Sequence, residues 1–276
     1  MAKHNRRYKD SVFVDLFGKD KKAKEKFLSL YNALHGTSLD ASVELEPLRL
    51  ERVMYMSFCN DVACLVDGKI IVLVEHQSTV NANMPLRFLQ YVARLYKQIQ
   101  NPRDRYFRRL KKIPTPEFYV FYNGEEAYPE QATLKLSDAF MTSPVQSSLE
   151  LVVSVININY NKGSEILYTC KPLKEYTLFV AAVRKHTKLD SENGFKNAIT
   201  ECIQNDILCE YLQRKSKEVI NMLIAEYDYD VDIAVQREEA LHQKALQDAK
   251  NLKRLGVSIS IIIEAVGLTR EEVETL

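Results

Sequence analysis

The run from Asn60 to Gln77, Asn-Asp-Val-Ala-Cys-Leu-Val-Asp-Gly-Lys-Ile-Ile-Val-Leu-Val-Glu-His-Gln, constrains the fold more than any other part of the chain. Two apolar, β-branched stretches, 62–66 and 70–74, are joined at Asp67-Gly68. Such a pair around Asp-Gly predicts a β-hairpin. Neither stretch alternates with polar residues, so both faces of the hairpin are expected to be covered, as in the middle of a sheet. Three polar residues punctuate it: Asp61 opens the first strand, and Glu75 and Gln77 close the second. Glu75 and Gln77 are two apart and share a face, whereas His76 points to the other.

Whether Asp61 shares the face of Glu75 depends on the parity of the loop. A two-residue loop pairs Val66 with Lys69 and Asp61 with Val74, which turns Asp61 away from Glu75. A three-residue loop, or one bulge, brings the two carboxylates together. Two carboxylates at the ends of buried strands repel each other and lose solvation, and a bound Mg²⁺ relieves both. A chemical role for the pair therefore requires an odd loop, expected as a type I turn with Gly68 in the left-handed conformation. The competing reading is that both acids are strand-end residues that reach water.

At these residues the sequence resembles the PD-(D/E)XK nuclease core in the form used by the Rpn family, the recombination-promoting nucleases often labelled putative transposases. The resemblance extends over Tyr8-Lys-Asp10-Ser-Val-Phe13 and Leu16-Phe17, over Arg87-Phe-Leu-Gln-Tyr91-Val-Ala-Arg94-Leu-Tyr96, and over Cys202-Ile203, Ile207-Leu208 and Glu218-Val219-Ile-Asn-Met222. Two departures stand out: Asn60 where the motif name has proline, and Gln77 where most of the superfamily has lysine. The resemblance implies a restriction-endonuclease-like α/β fold, with a mixed sheet and central hairpin flanked by helices and a C-terminal helical region. It implies a metal-dependent DNA endonuclease linked to recombination or mobile elements. Asp61, Glu75 and the backbone carbonyl of His76 would hold Mg²⁺, with Mn²⁺ or Ca²⁺ able to substitute. Gln77 would be the third catalytic residue, and Asp10 a further acid whose alternative is a helix N-cap. A different class remains open, a DNA-binding or regulatory protein with a degenerate nuclease core, because Gln77 carries no positive charge. A third is a helical interaction protein acting through 176–276.

The formal net charge is only +1, so affinity for DNA has to come from local clusters. The densest cluster follows the hairpin. Residues 85–100 have the spacing of a helix, with Leu86, Leu89, Val92, Ala93 and Tyr96 as the expected buried stripe. Nine Lys and Arg lie between Arg87 and Lys112 against one acid, Asp104. Arg87, Tyr91, Arg94, Arg103, Arg105, Arg108 and Arg109 are the candidate DNA contacts, the alternative being a solvated helix with snorkelling arginines. Lys3, Arg6, Arg7 and Lys9 make the start of the chain basic, as a solvated tail or a phosphate-contacting arm.

A strand is expected from Leu48 into the hairpin, others over 117–122 and 149–156, and a short helix over 134–140; beyond about 174 the pattern is helical. The expected divisions are a nuclease-like core over 1–165, a helical extension packing on it over 166–235, and a helix-turn-helix-like tail over 236–276. Residues 226–276 carry eleven acids and six bases, and Glu271, Glu272 and Glu274 make the last helix acidic. Phosphates would be repelled there, so a small module for docking or for self-association into a homo-oligomer is the favoured role for the tail. Five cysteines without a Cys-X-X-Cys indicate neither a disulfide framework nor a zinc site. With no apolar run approaching ~18 residues and no apolar signal core, no membrane partner is expected, and the location expected is cytoplasmic.

Overall fold

A computed structural model of the chain describes residues 12–48, 61–79, 81–142, 148–162, 164–190 and 192–276. Asp10, the basic start and the strand expected over 49–58 lie outside the described residues, as do the side chains of Asp61, of Lys162, of Glu226 and of 228–237. The described chain forms two compact units, Met1–Leu223 and Ile224–Leu276.

The first unit is built on a six-stranded sheet of order β1-β2-β3-β4-β6-β5. Its strands are β1 (Leu45–Leu48), β2 (Asp61–Val66), β3 (Ile70–Gln77), β4 (Thr115–Tyr122), β5 (Gln131–Lys135) and β6 (Val152–Asn157). β3, β4 and β6 run parallel, and the remaining pairs are antiparallel. This is the mixed, restriction-endonuclease-like arrangement expected. The central hairpin has the odd loop: Val66 is opposite Ile70, which leaves Asp67, Gly68 and Lys69 in the turn and sets Asp61 opposite Glu75. The turn type differs from expectation. Asp67 and Gly68 both have positive φ, 50° and 63°, and Lys69 N–H donates to the Val66 carbonyl at 3.0 Å. Positive φ at both central residues marks a primed turn, whose twist matches that of the flanking strands, and Asp tolerates the left-handed region well.

Strand parity divides the core. Val62, Cys64, Val66, Val72 and Val74 face one layer, formed by α1 (Val12–Val14) and its π-helical continuation Asp15–Lys19, α2 (Ala23–His35), α4 (Ile166–Thr169), α5 (Lys171–Leu189), α6 (Gly194–Gln204) and the first part of α7 (Cys209–Arg254). Ala63, Ile71 and Leu73 face the other, where α3 (Met84–Ile99) packs. The segments over 166–223 thus share the apolar core of the sheet. Each Leu, Ile, Val or Phe sealed this way contributes about 1.5–3 kcal/mol.

Three local expectations are corrected. The buried stripe of α3 is Met84, Phe88, Tyr91, Val92 and Leu95, whereas Leu86 and Ala93 are exposed. Two apolar stripes coexist on this helix, and docking against Ile71 and Leu73 selects the second. The stretch 131–135 is a strand, followed by a 3-10 turn over Leu136–Ala139 where a short helix was expected. The described part of the first strand begins at Leu45 and contains Pro47, which an edge strand tolerates because the missing N–H would face outward.

In the second unit Ala249, Ile262, Leu268 and Val273 form a small core of their own. α8 (Ile259–Val266) ends at Gly267, φ 72°, and α9 (Arg270–Thr275) opens with a capping box between Thr269 and Glu272.

Candidate active site

The end of β3 gathers charge on the α3 face. Glu75 is 3% exposed, the only buried acid of that strand. Its Oε1 accepts a hydrogen bond from Gln77 Nε2 at 2.7 Å and forms an ion pair with Arg87 Nη1 at 2.9 Å. Gln77 therefore lies on the face of Glu75, as strand parity requires, with its amide also against the Met84 sulfur. The position of Asp61 is directly opposite Glu75 in the β2–β3 ladder. Directly opposed residues of an antiparallel pair share a face, with Cα atoms about 4.5–5.5 Å apart. Two acidic positions thus meet where the strands end.

The donor set suits a hard cation. Two carboxylate positions and the backbone carbonyl of His76 are oxygen donors, which Mg²⁺ prefers, and Mg²⁺ needs few protein ligands because it keeps several waters. The buried Glu75 carboxylate already meets a guanidinium and an amide N–H. Among the described residues no group of three or more His, Cys, Asp or Glu side chains gathers in a way that could hold a metal ion, at this end of β3 or elsewhere.

His76 belongs to the other face. Phe13 stacks on its ring at 5.2 Å, Tyr176 meets it edge-on at 5.4 Å, and the Tyr176 hydroxyl shares a hydrogen bond with Nε2 at 3.2 Å. Burial pushes its pKa down to about 3, with the charge of Arg184 acting in the same direction. The imidazole is neutral at physiological pH and turned away from Glu75, so it is part of the packing.

The residues grouped as candidate DNA contacts are divided by the structure. Arg87 is at the site, and its Nη2 donates to the Tyr91 hydroxyl at 3.0 Å. Tyr91 is 2% exposed, so its ring is sealed in the core beneath Arg87 and does not lie on a surface where a base could stack. Arg94 is exposed further along α3. Arg103, Arg105, Arg108 and Arg109 are exposed in the connection from α3 to β4. That connection enters β4 at Thr115, which is opposite Ile70. The four arginines therefore belong to the far end of the sheet, five residues or about 16 Å along β3 from Glu75. Their surroundings are open, with Tyr106 79%, Phe107 52% and Leu110 90% exposed. Arg105 lies over the Tyr106 ring, and Arg109 and Lys111 over that of Phe107.

A polar cluster that sequence reasoning missed lies at the C-terminal ends of β4 and β6. Asn157 Nδ2 donates to the Tyr128 carbonyl, its Oδ1 accepts from Asn159, and Arg184 donates to Asn159 Oδ1 and to the Asn123 carbonyl. Gly124 is forced by close approach, since a Cβ there would lie 2.1 Å from the Ser78 carbonyl oxygen. Tyr122-Asn123-Gly124 directly after a strand was the available signal, and a plain turn is the stronger reading of it from sequence.

A family model described as "Putative transposase, YhgA-like" matches residues 8–233, which include the hairpin, α3 and the helices that cover the other face of the sheet. No curated protein and no solved structure matches the chain at a significant level.

Proposed function

The chain belongs to the YhgA-like putative transposase family, and on that premise we propose that it is a Mg²⁺-dependent DNA endonuclease acting in recombination or on mobile elements. The observation that carries this reading is the odd hairpin loop, which sets Asp61 opposite Glu75 with Gln77 on the same face. Asp61, Glu75 and the His76 carbonyl would hold the metal. Bound there, Mg²⁺ supplies Lewis acidity to the scissile phosphate and acidifies the attacking water. Gln77 orients a water or phosphate oxygen through its amide, and it stabilises developing negative charge less than a lysine would. The exposed arginines of the α3–β4 connection contact backbone phosphates away from the cut.

One observation favours a second reading, a DNA-binding protein with a degenerate core: Arg87 already neutralises Glu75 from within the chain. Nicking of supercoiled plasmid with Mg²⁺, wild type against Asp61→Ala, separates the two. Metal-dependent nicking that Asp61→Ala removes supports the nuclease. No nicking by the wild type, with duplex binding retained, supports the second reading.

A further inference from the structure

We propose that Arg87 is a catalytic residue of this site, supplying to the scissile phosphate the positive charge that Gln77 does not. The assignment rests on the nuclease reading above. Two groups converge on one atom: Glu75 Oε1 accepts from Gln77 Nε2 at 2.7 Å and is paired with Arg87 Nη1 at 2.9 Å. The guanidinium is thus in direct ionic contact with the carboxylate, beside the amide that stands where a lysine would bring its charge. Two acidic positions opposed across a ladder need a cation near them, and this chain brings one in from a helix in place of the strand.

The way Arg87 is held fits a working group. It leaves the first turn of α3, which begins at Met84-Pro85, and Tyr91 one turn later accepts from Nη2 at 3.0 Å, its ring centroid 5.9 Å from Cζ. Tyr91 is itself sealed in the core, so the guanidinium is presented from a rigid anchor. Pre-organised donors of this kind contribute most where charge develops, because nothing has to reorganise during the reaction. The Arg87 side chain remains 28% exposed while that of Glu75 is 4% exposed. A phosphodiester arriving from solvent can therefore reach the guanidinium, whose planar fork matches phosphate oxygens.

The test compares wild type, R87Q, R87K and the double variant R87Q/Q77K in the full chain. Three quantities are read: the single-turnover plasmid cleavage rate with Mg²⁺, Mn²⁺ affinity by calorimetry, and affinity for a fluorescent duplex. R87Q is expected to cleave about 10²–10³-fold more slowly. Its Mn²⁺ affinity should be unchanged or higher, since a competing cation has left Glu75, and its duplex affinity should be nearly unchanged. Q77K in the R87Q background should recover at least about tenfold, because the charge returns from the strand. The proposal is overturned if R87Q cleaves at the wild-type rate, if a matching loss of Mn²⁺ affinity accounts for the defect, or if Q77K recovers nothing. Should R87Q fail to fold, R87K decides: cleavage within about tenfold of wild type supports the charge, and loss to the level of D61A overturns it. A wild type that does not cleave sinks the nuclease reading and this assignment with it; an active wild type with an indifferent R87Q sinks the assignment alone.

Discussion

Asp15 and Asp20 on one face of the sheet and Glu75 on the other are nearly sealed from solvent, at 5%, 5% and 3% exposure, but their surroundings are opposite in kind. Asp20 is held by Lys26 at 2.9 Å and Arg214 at 2.6 Å, and Asp15 by Lys215 at 2.9 Å and the Tyr211 hydroxyl at 2.8 Å. Each of these two acids is met by bases, which come from α2 and α7, so the cluster ties the start of the described chain to a helix about 200 residues later. α7 departs from helical geometry at Lys215, φ −123° and ψ 21°, the residue whose ammonium meets Asp15. At Glu75 the opposing ladder position is another acid, Asp61. A buried acid surrounded by bases is a finished structural device. Glu75 is set against an acid and has the base Arg87 beside it; on the nuclease reading that acidic pair would be completed by a cation from outside, and the stability that removing it costs should be smaller.

The sharpest way to break this contrast is to remove one acid from each side. Asp61→Ala and Glu75→Ala should each lower Mg²⁺-dependent plasmid nicking by about 10³-fold or more, as expected for loss of a metal ligand. The urea midpoint of Asp61→Ala should stay near wild type, because one of two opposed acids leaves, whereas Glu75→Ala also takes the partner of Arg87 and should fall somewhat lower. Undiminished nicking in either variant would remove the nuclease assignment from this hairpin. Asp20→Asn should do the reverse and destabilise the fold by about 3–5 kcal/mol, since Arg214 and Lys26 then lose a buried partner.

The same cluster carries a pH dependence. Burial acts to raise the Asp20 pKa, but hydrogen bonds from Lys26, Arg214 and the Lys22 backbone N–H outweigh it and hold the carboxyl well below its ordinary value. A depressed folded-state pKa contributes stability that is complete above the unfolded value of about 4 and declines as pH falls below it. The stability gap between wild type and Asp20→Asn should accordingly be widest near neutrality and narrow from about pH 4 downward. A gap that widens in acid would contradict the ion-pair account.

Much of this contrast was legible on one side only. The hairpin, the shared face of Glu75 and Gln77, and the opposite orientation of His76 all follow from a period of two residues, which holds wherever a strand forms. The loop parity was reachable through chemistry, because only an odd loop unites the carboxylates, whereas the left-handed Asp67 was not, since Asp-Gly serves several turn types. Arg87 read as one basic residue among nine, and its ion pair with Glu75 becomes visible only once α3 is docked by its second apolar stripe. The Asp15 and Asp20 partners were invisible for a stronger reason. Lys215 and Arg214 lie in a polar helix that resembles a solvated one until the chain closes on itself. Gln131-Ala-Thr-Leu-Lys135, an edge strand exposed along one side, has too few apolar residues to announce itself.

A subtler break concerns distance rather than burial. Because Arg103, Arg105, Arg108 and Arg109 lie at the opposite end of β3 from Glu75, binding and cutting should come apart. The quadruple alanine variant should flatten the salt dependence of duplex binding by about 0.9 per lost phosphate contact. Its cleavage rate at saturating DNA should stay close to wild type. An unchanged salt slope would move the phosphate contacts to other basic residues.

The smallest expected effect belongs to Gln77, and it asks whether the Glu75 side of the comparison is tuned or merely decayed. The Gln77 amide donates to Glu75 Oε1 at 2.7 Å, so it both orients the carboxylate and stands next to any water held there. Gln77→Leu keeps the bulk against Met84 but deletes the donor, and it should slow cleavage about 10–10²-fold, less than loss of a metal ligand. Gln77→Lys keeps a donor of nearly the same reach and adds charge. A lysine at 77 can still bond Glu75, and its charge favours the pentacovalent phosphate, so this variant should cleave at least as fast as wild type. The pair of outcomes is diagnostic. If leucine is slow and lysine is not, a donor at position 77 is what the reaction uses, and glutamine is a sufficient one. If leucine cleaves at the wild-type rate, the amide serves only to satisfy Glu75, and the acidic pair would work with Arg87 as its basic neighbour among the described residues.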